Sequence, residues 1–313
     1  MGDEEFFLCM YAKYAFILII IFIRLIGGAS SLPRSALFFL SLLCYCITIL
    51  VNISLILIIV LDKALHEPMY ILLCAFWINA LYGTAGFYPK FLWDLFSPIH
   101  VISYSGCLLQ VQVDFSILAF MAYDRYLAIC HPLDYHSIMS MKRVIWMTCS
   151  LWLTSFFIIG VNSLLTFRLK LCSPYINRLF CVNWSIVSLA CFPKETSING
   201  IVGNITIIIF IFLGFYIIWS YMYIIKICYN SIEKRAKFMQ TCLPHLISLS
   251  ACIMTILIDI INNRLSFKDL PQALQNFIAM EFLVVPPLMN PLIYGFKIVW
   301  LYHLANFHFI HSC

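Results

Sequence analysis

The chain has 313 residues, of which 63% are hydrophobic and 11% charged, with a mean hydropathy of +0.97 and a net charge of +5. A soluble protein of this size carries about a quarter of its residues as Asp, Glu, Lys or Arg, so the composition excludes a water-soluble globular domain and defines a polytopic membrane protein. The charge is too small to argue for nucleic acid, and most of the 14 cysteines sit in apolar segments, where Cys behaves as a small buried hydrophobe.

In chain order, Asp3-Glu4-Glu5 precede an apolar run over 14–26 that is broken by Arg24. The run is short for a span and lacks the basic start of a signal peptide, so an interfacial helix is expected there. Residues 1–35 are read as an atypical N-terminal segment. Windows of about twenty apolar residues then predict helices over 36–61, 69–92, 101–130, 144–166, 198–228, 238–261 and 271–296. These seven spans fill a domain at 36–297, followed by a short aromatic and histidine-rich tail at 298–313. Lipid cannot satisfy open backbone groups, and the alternation of barrel strands is absent, so the spans are helical. The fold expected is an all-α seven-transmembrane bundle. No internal repeat is visible, which weakens a transporter built from duplicated halves.

Orientation does not follow from basic residues. With the N-terminus outside, nine Lys/Arg fall on the cytoplasmic side and ten outside, so the positive-inside count is undecided. The cysteines discriminate better. Cys172, Cys181 and Cys191 share the polar loop between the fourth and fifth spans, and Cys107 begins the third. Four cysteines near one face suggest disulfides, which persist on the oxidising side, and this places the loop and the N-terminus outside. Free loop thiols are the alternative. Sequons occur at Asn52, Asn183 and Asn204; the first and last fall within predicted spans, where glycosylation is not expected.

The string MAYDRYLAIC at 121–130 places Asp124 and Arg125 at the end of an apolar helix, where charges are costly unless held in place. It resembles the DRY signature of rhodopsin-like G-protein-coupled receptors, in the wording of the odorant receptors. PLMNPLIY at 287–294 is similar to their NPxxY element. HEPMY at 66–70, Asn52, LYGTAGFYPKFL at 81–92, Ser220-Tyr221 and KFMQTCLPHL at 237–246 also match, the helix-two stretch in its fish-type form. The resemblance spans about 37–297.

The resemblance implies a plasma-membrane receptor, not an enzyme, that couples a small odorant to a heterotrimeric G protein. Arg125 would face the G protein with Asp124 as its ion-pair partner, and Tyr126, Tyr221, Asn290, Pro291 and Tyr294 would serve activation. Pro291 removes a backbone hydrogen bond and permits a kink; Asn290 is expected to satisfy freed groups or bind a polar neighbour. The family would join Cys107 to Cys181 and Cys172 to Cys191. Its acidic residue three turns before Arg125 corresponds to Asp114, which with Asn290 would hold a sodium ion, although Ala80 replaces the second-helix aspartate of most such receptors. No other cofactor is expected. Ligand-contacting candidates at the outer ends of the third, fifth and sixth helices are Val111, Phe115, Ile208, Phe212, Ile258 and Asp259.

Two departures stand out. Cys107 and Arg125 are eighteen residues apart, about 27 Å of helix, whereas the family's spacing is about seven residues longer. About two turns, near 10 Å, are therefore missing from a shortened third helix, while its facing changes by only about 20°. The two termini are also atypical. A damaged or mis-joined receptor lacking signalling competence is thus an alternative to a working receptor. A channel or transporter is a weaker one, since Asp114, Asp259 and Glu281 form no evident row.

Overall fold

The computed structural model describes residues 33–97, 102–103, 106–107, 115–173, 176 and 181–229, together with 246, 249–250, 253–254, 284, 286–288, 290–291 and 295. Among the described residues the delimited α-helices are α1 (Arg34–Leu61), α2 (Pro68–Phe96), α3 (Phe115–Cys130), α4 (Pro132–Ile138), α5 (Met141–Phe167), α6 (Asn183–Val187) and α7 (Ser197–Tyr229). Four segments among the described residues are long and apolar enough to cross a bilayer: α1, α2, α5 and Pro193–Tyr229, which ends in α7. With α3 they form the first five spans. The described residues near the sixth and seventh spans, including 249–250, 253–254 and 286–288, are helical. The N-terminal segment 1–32, the tail and residues 108–114, where the third helix is expected to be short, lie outside the described residues.

The core explains how these helices hold together. Leu55 and Ile59 of α1, Leu72, Leu73, Phe76 and Trp77 of α2, Ile117 to Ala122 of α3 and Ile217, Tyr221 and Ile224 of α7 form one buried cluster, joined by Leu249 of the sixth span. Phe39, Leu43, Leu50 and Leu57 of α1 and Ile201, Phe212, Phe215 and Met222 of α7 are exposed. In water so large an apolar surface would aggregate; here it is the face that lipid covers.

Local chemistry sets the helix ends. Pro68 and Pro132 occupy the first turns of α2 and α4, where the missing N–H costs nothing. Pro89 lies inside α2 and removes one backbone bond from its outer third. Buried hydroxyls turn back on their own helices, as Thr48 to the Cys44 carbonyl and Thr84 to the Ala80 carbonyl, at 2.8 and 2.6 Å. This is how Ser and Thr are accommodated in a medium without water.

Candidate functional site

At the inner end of α3, Asp124 is fully buried. Its Oδ2 accepts from Arg125 Nε at 2.8 Å and from Arg125 Nη2. Its Oδ1 accepts from the Tyr135 hydroxyl at 2.8 Å. Tyr135 belongs to α4, so the inner loop is tied directly to the acidic member of the pair. Burial, then the neighbouring Asp124 charge, raises the Tyr135 phenol above its ordinary range and keeps the proton on the bond. Sequence reasoning missed Tyr135; a Tyr eleven residues beyond an interfacial Asp is no signal until α4 folds back.

α4 has only seven residues and would not stand alone. Besides Tyr135, it is held at its C-terminus by Arg143 of α5, whose Nη1 donates to the Ser137 and Ile138 carbonyls at 3.2 and 2.7 Å. This leaves Leu133 on the fixed helix 95% exposed. Tyr126 turns elsewhere: its ring packs against Trp219 and Tyr223 of α7, with centroids 5.8 and 5.7 Å away, and it does not join the Asp124 site. Tyr221 is buried in the core at the same end of α7.

The seventh span shows where the backbone freed by proline goes. An N–H at position 291 would pair with the carbonyl four residues back, but Pro291 has none. That carbonyl belongs to Pro287, and Asn52 Nδ2 of α1 donates to it at 3.0 Å while also reaching the Thr48 carbonyl at 2.7 Å. The partner of the freed carbonyl is thus Asn52, because that carbonyl faces α1; the expectation for Asn290 also allows a polar neighbour instead. Asn290 and Pro291 are both buried. Gly295 lets the two helices close: a Cβ there would meet Leu55 Cδ1 at 3.0 Å. Tyr294 lies outside the described residues.

On the opposite face, Cys107 is bonded to Cys181 and Cys172 to Cys191, with Cα–Cα distances of 5.2 and 4.9 Å. An antiparallel bridge between Leu171 and Ala190 sits beside the second bond. The loop is also latched to the helices. Thr166 Oγ1 of α5 lies 2.7 Å from Asn183 Oδ1 and accepts from Asn199 Nδ2 of α7 at 3.2 Å. The Asn183 sequon is therefore part of the packing between loop and bundle.

The ligand candidates need one correction. Ile208 and Phe212 are 50% and 69% exposed, on the face of α7 that lipid covers. α7 is apolar all round, so periodicity could not show its inward side. The inward stripe runs instead through Val202, Thr206, Phe210 and Leu213, all half-buried, toward buried Ile217 and Tyr221. Val111, Asp114, Ile258 and Asp259 lie outside the described residues, as does the side chain of Phe115. Among the described residues no group of His, Cys, Asp or Glu is placed to hold a metal ion. Asn290 and Ala80 are both buried, and the sodium expectation centres on Asp114, outside the described residues, with Asn290 as its companion.

Apolar helices fastened by disulfides on one face, with a buried Asp–Arg pair and a preformed loop helix on the other, agree with a seven-transmembrane receptor of the rhodopsin-like class, which the family match establishes. The sequence model described as "Olfactory receptor" matches residues 40–308, beyond the point at which the tail was set apart. The chain is 34% identical over 275 residues to "Olfactory receptor 11H6" of Homo sapiens, covering 84% of this chain and 82% of that protein. It is 34% identical over 287 residues to "Olfactory receptor 1D2" of Pan troglodytes (87% and 90%), and 32% over 290 residues to "Olfactory receptor 5G26" of Mus musculus (87% of each). The chain belongs to the olfactory receptor family. It is a chemosensory G-protein-coupled receptor of the plasma membrane, crossing it several times, and not an enzyme; a channel, a transporter and a non-signalling derivative are not favoured.

Proposed function

We propose that a small odorant bound among the outer halves of the helices shifts the bundle toward a form in which Arg125 leaves Asp124 and engages a heterotrimeric G protein. A guanidinium held by a neighbouring carboxylate can exchange that partner when helices move. The observation that carries the reading is the inner face itself: the Asp124–Arg125–Tyr135 cluster beside a fixed α4 that presents Leu133 to solvent. A large apolar side chain held out on a rigid helix is what a partner's pocket would cover. Val202, Thr206, Phe210 and Leu213 replace Ile208 and Phe212 as the α7 wall of the odorant site, beside Val111, Phe115, Ile258 and Asp259. Tyr221, Asn290, Pro291 and Tyr294 are assigned to the helix rearrangement.

The test is expression of the full chain with an olfactory G protein, reading surface protein and cAMP against an odorant panel. The expected result is an odorant-evoked rise that Leu133→Ala weakens about tenfold or more at unchanged surface level, since covering a Leu side chain is worth about 1.5–3 kcal/mol. Surface protein silent to the whole panel, or an ion current that needs no G protein, contradicts the proposal.

A further inference from the structure

We infer that Lys90 and Asp94 of α2 form a zwitterion-binding site at the outer mouth of the bundle, suited to small α-amino-acid-type ligands with an apolar side chain. The inference names a ligand class for the receptor and, as a signalling statement, rests on the reading above. Lys90 Nζ donates to Asp94 Oδ1 in an ion pair one turn apart, each side chain about 25% exposed. Residues 80, 83, 87, 90 and 94 follow the alternating three- and four-residue spacing of one helix face. Ala80, Gly83 and Phe87 on that face are buried. The pair therefore continues the stripe that α2 turns toward the bundle, at the end of the helix leading to Cys107. The lipid-facing side is marked instead by Trp93 and Phe96, both largely exposed. Phe87, about one turn inward of Lys90, stacks with centroids 5.2 Å apart on Phe91, which lies level with the pair, and the two rings give the site an apolar aromatic floor.

Ionisable side chains on the inward face of a membrane helix are expensive and mark functional sites more often than structural ones. Sequence reasoning counted Lys90 only among the outer basic residues and gave the pair no role. The pair also selects its ligand. A neutral odorant gains nothing from it. A ligand with one charge draws one member away and leaves the other's charge without that counter-ion in a half-buried site. A zwitterion places its carboxylate on Lys90 and its ammonium on Asp94, so both charges stay compensated through charge-assisted hydrogen bonds. The Phe87–Phe91 floor then favours an apolar side chain over a polar one.

The test measures binding of tritiated L-leucine to membranes carrying the full chain, in parallel with cAMP. Saturable leucine binding is expected, with L-leucinamide and N-acetyl-L-leucine, each bearing one charge, competing at least about tenfold more weakly. Lys90→Gln and Asp94→Asn should abolish it. The double variant Lys90→Met/Asp94→Leu removes both charges without stranding either, so it keeps its surface level while losing leucine. Absence of leucine binding to the wild type, or leucine binding that survives the double variant, overturns the inference. Leucine binding without cAMP would leave the site standing and sink the signalling reading; odorant-evoked cAMP without leucine binding would do the reverse.

Discussion

Both carboxylate oxygens of Asp124 are engaged, one by Arg125 and one by Tyr135, inside a fully buried site. A hydrogen bond to a charged group contributes about 1.5–3 kcal/mol, so Tyr135→Phe weakens the hold on Asp124 while leaving the Arg125 contacts in place. The expected outcome is a rise of about tenfold in ligand-independent cAMP per surface receptor, since 1.4 kcal/mol is a factor of ten. The sign of any pH effect follows from the raised phenol. Its contribution is fully present below the ordinary tyrosine value of about 10 and is lost only as pH rises through the higher folded value. Ligand-independent activity should therefore show no Tyr135-dependent change between about pH 6 and 8. Asn52 acts on the same scale. Asn52→Leu leaves the Pro287 carbonyl without the donor that replaces the one Pro291 lacks, a cost of about 1–3 kcal/mol, to be read as a lower melting temperature of detergent-purified receptor. Neither contact was legible in the sequence. Asn52 and Pro287 are 235 residues apart, and only the folded bundle brings the vacated carbonyl to α1.

Among the elements, α4 shows how a short helix is made rigid. Pro132 starts it, Tyr135 pins its inner side, and Arg143 closes its last carbonyls. Arg143→Ala should lower odorant-evoked coupling while leaving the odorant concentration for half-maximal binding unchanged; a shift in binding with intact coupling would contradict this role. The spans were largely legible. The predicted 36–61, 69–92, 144–166 and 198–228 compare with Arg34–Leu61, Pro68–Phe96, Met141–Phe167 and Ser197–Tyr229. Bilayer thickness and polar flanks fix such limits from sequence alone. What failed was facing. α7 carries no polar stripe, so Ile208 and Phe212 were placed inward although packing turns them to lipid.

At the scale of the molecule, two disulfides brace the outer face and one ion-pair cluster closes the inner one. In the chain-entropy view a crosslink stabilises more when it closes a longer loop. The Cys107–Cys181 loop spans 74 residues and the Cys172–Cys191 loop 19. Cys107→Ser with Cys181→Ser should therefore cost about 1 kcal/mol more than the corresponding change at Cys172 and Cys191, seen as the larger drop in surface delivery. Family membership was legible from MAYDRYLAIC and its companion motifs, because several separate strings occur in the family's order along one chain. Which cysteines pair was not, since spacing alone leaves several pairings open and only the resemblance chose among them.

In the proposed function, Arg125 is the group handed from Asp124 to the G protein. The most direct measurement compares odorant-evoked recruitment of the G protein to wild-type and Arg125→Ala receptors at matched surface level, with odorant binding followed separately. Odorant binding that persists while recruitment falls by at least about a hundredfold, the loss expected when a transferred charge contact is removed, is the predicted result. Recruitment that proceeds unchanged without the guanidinium would contradict it.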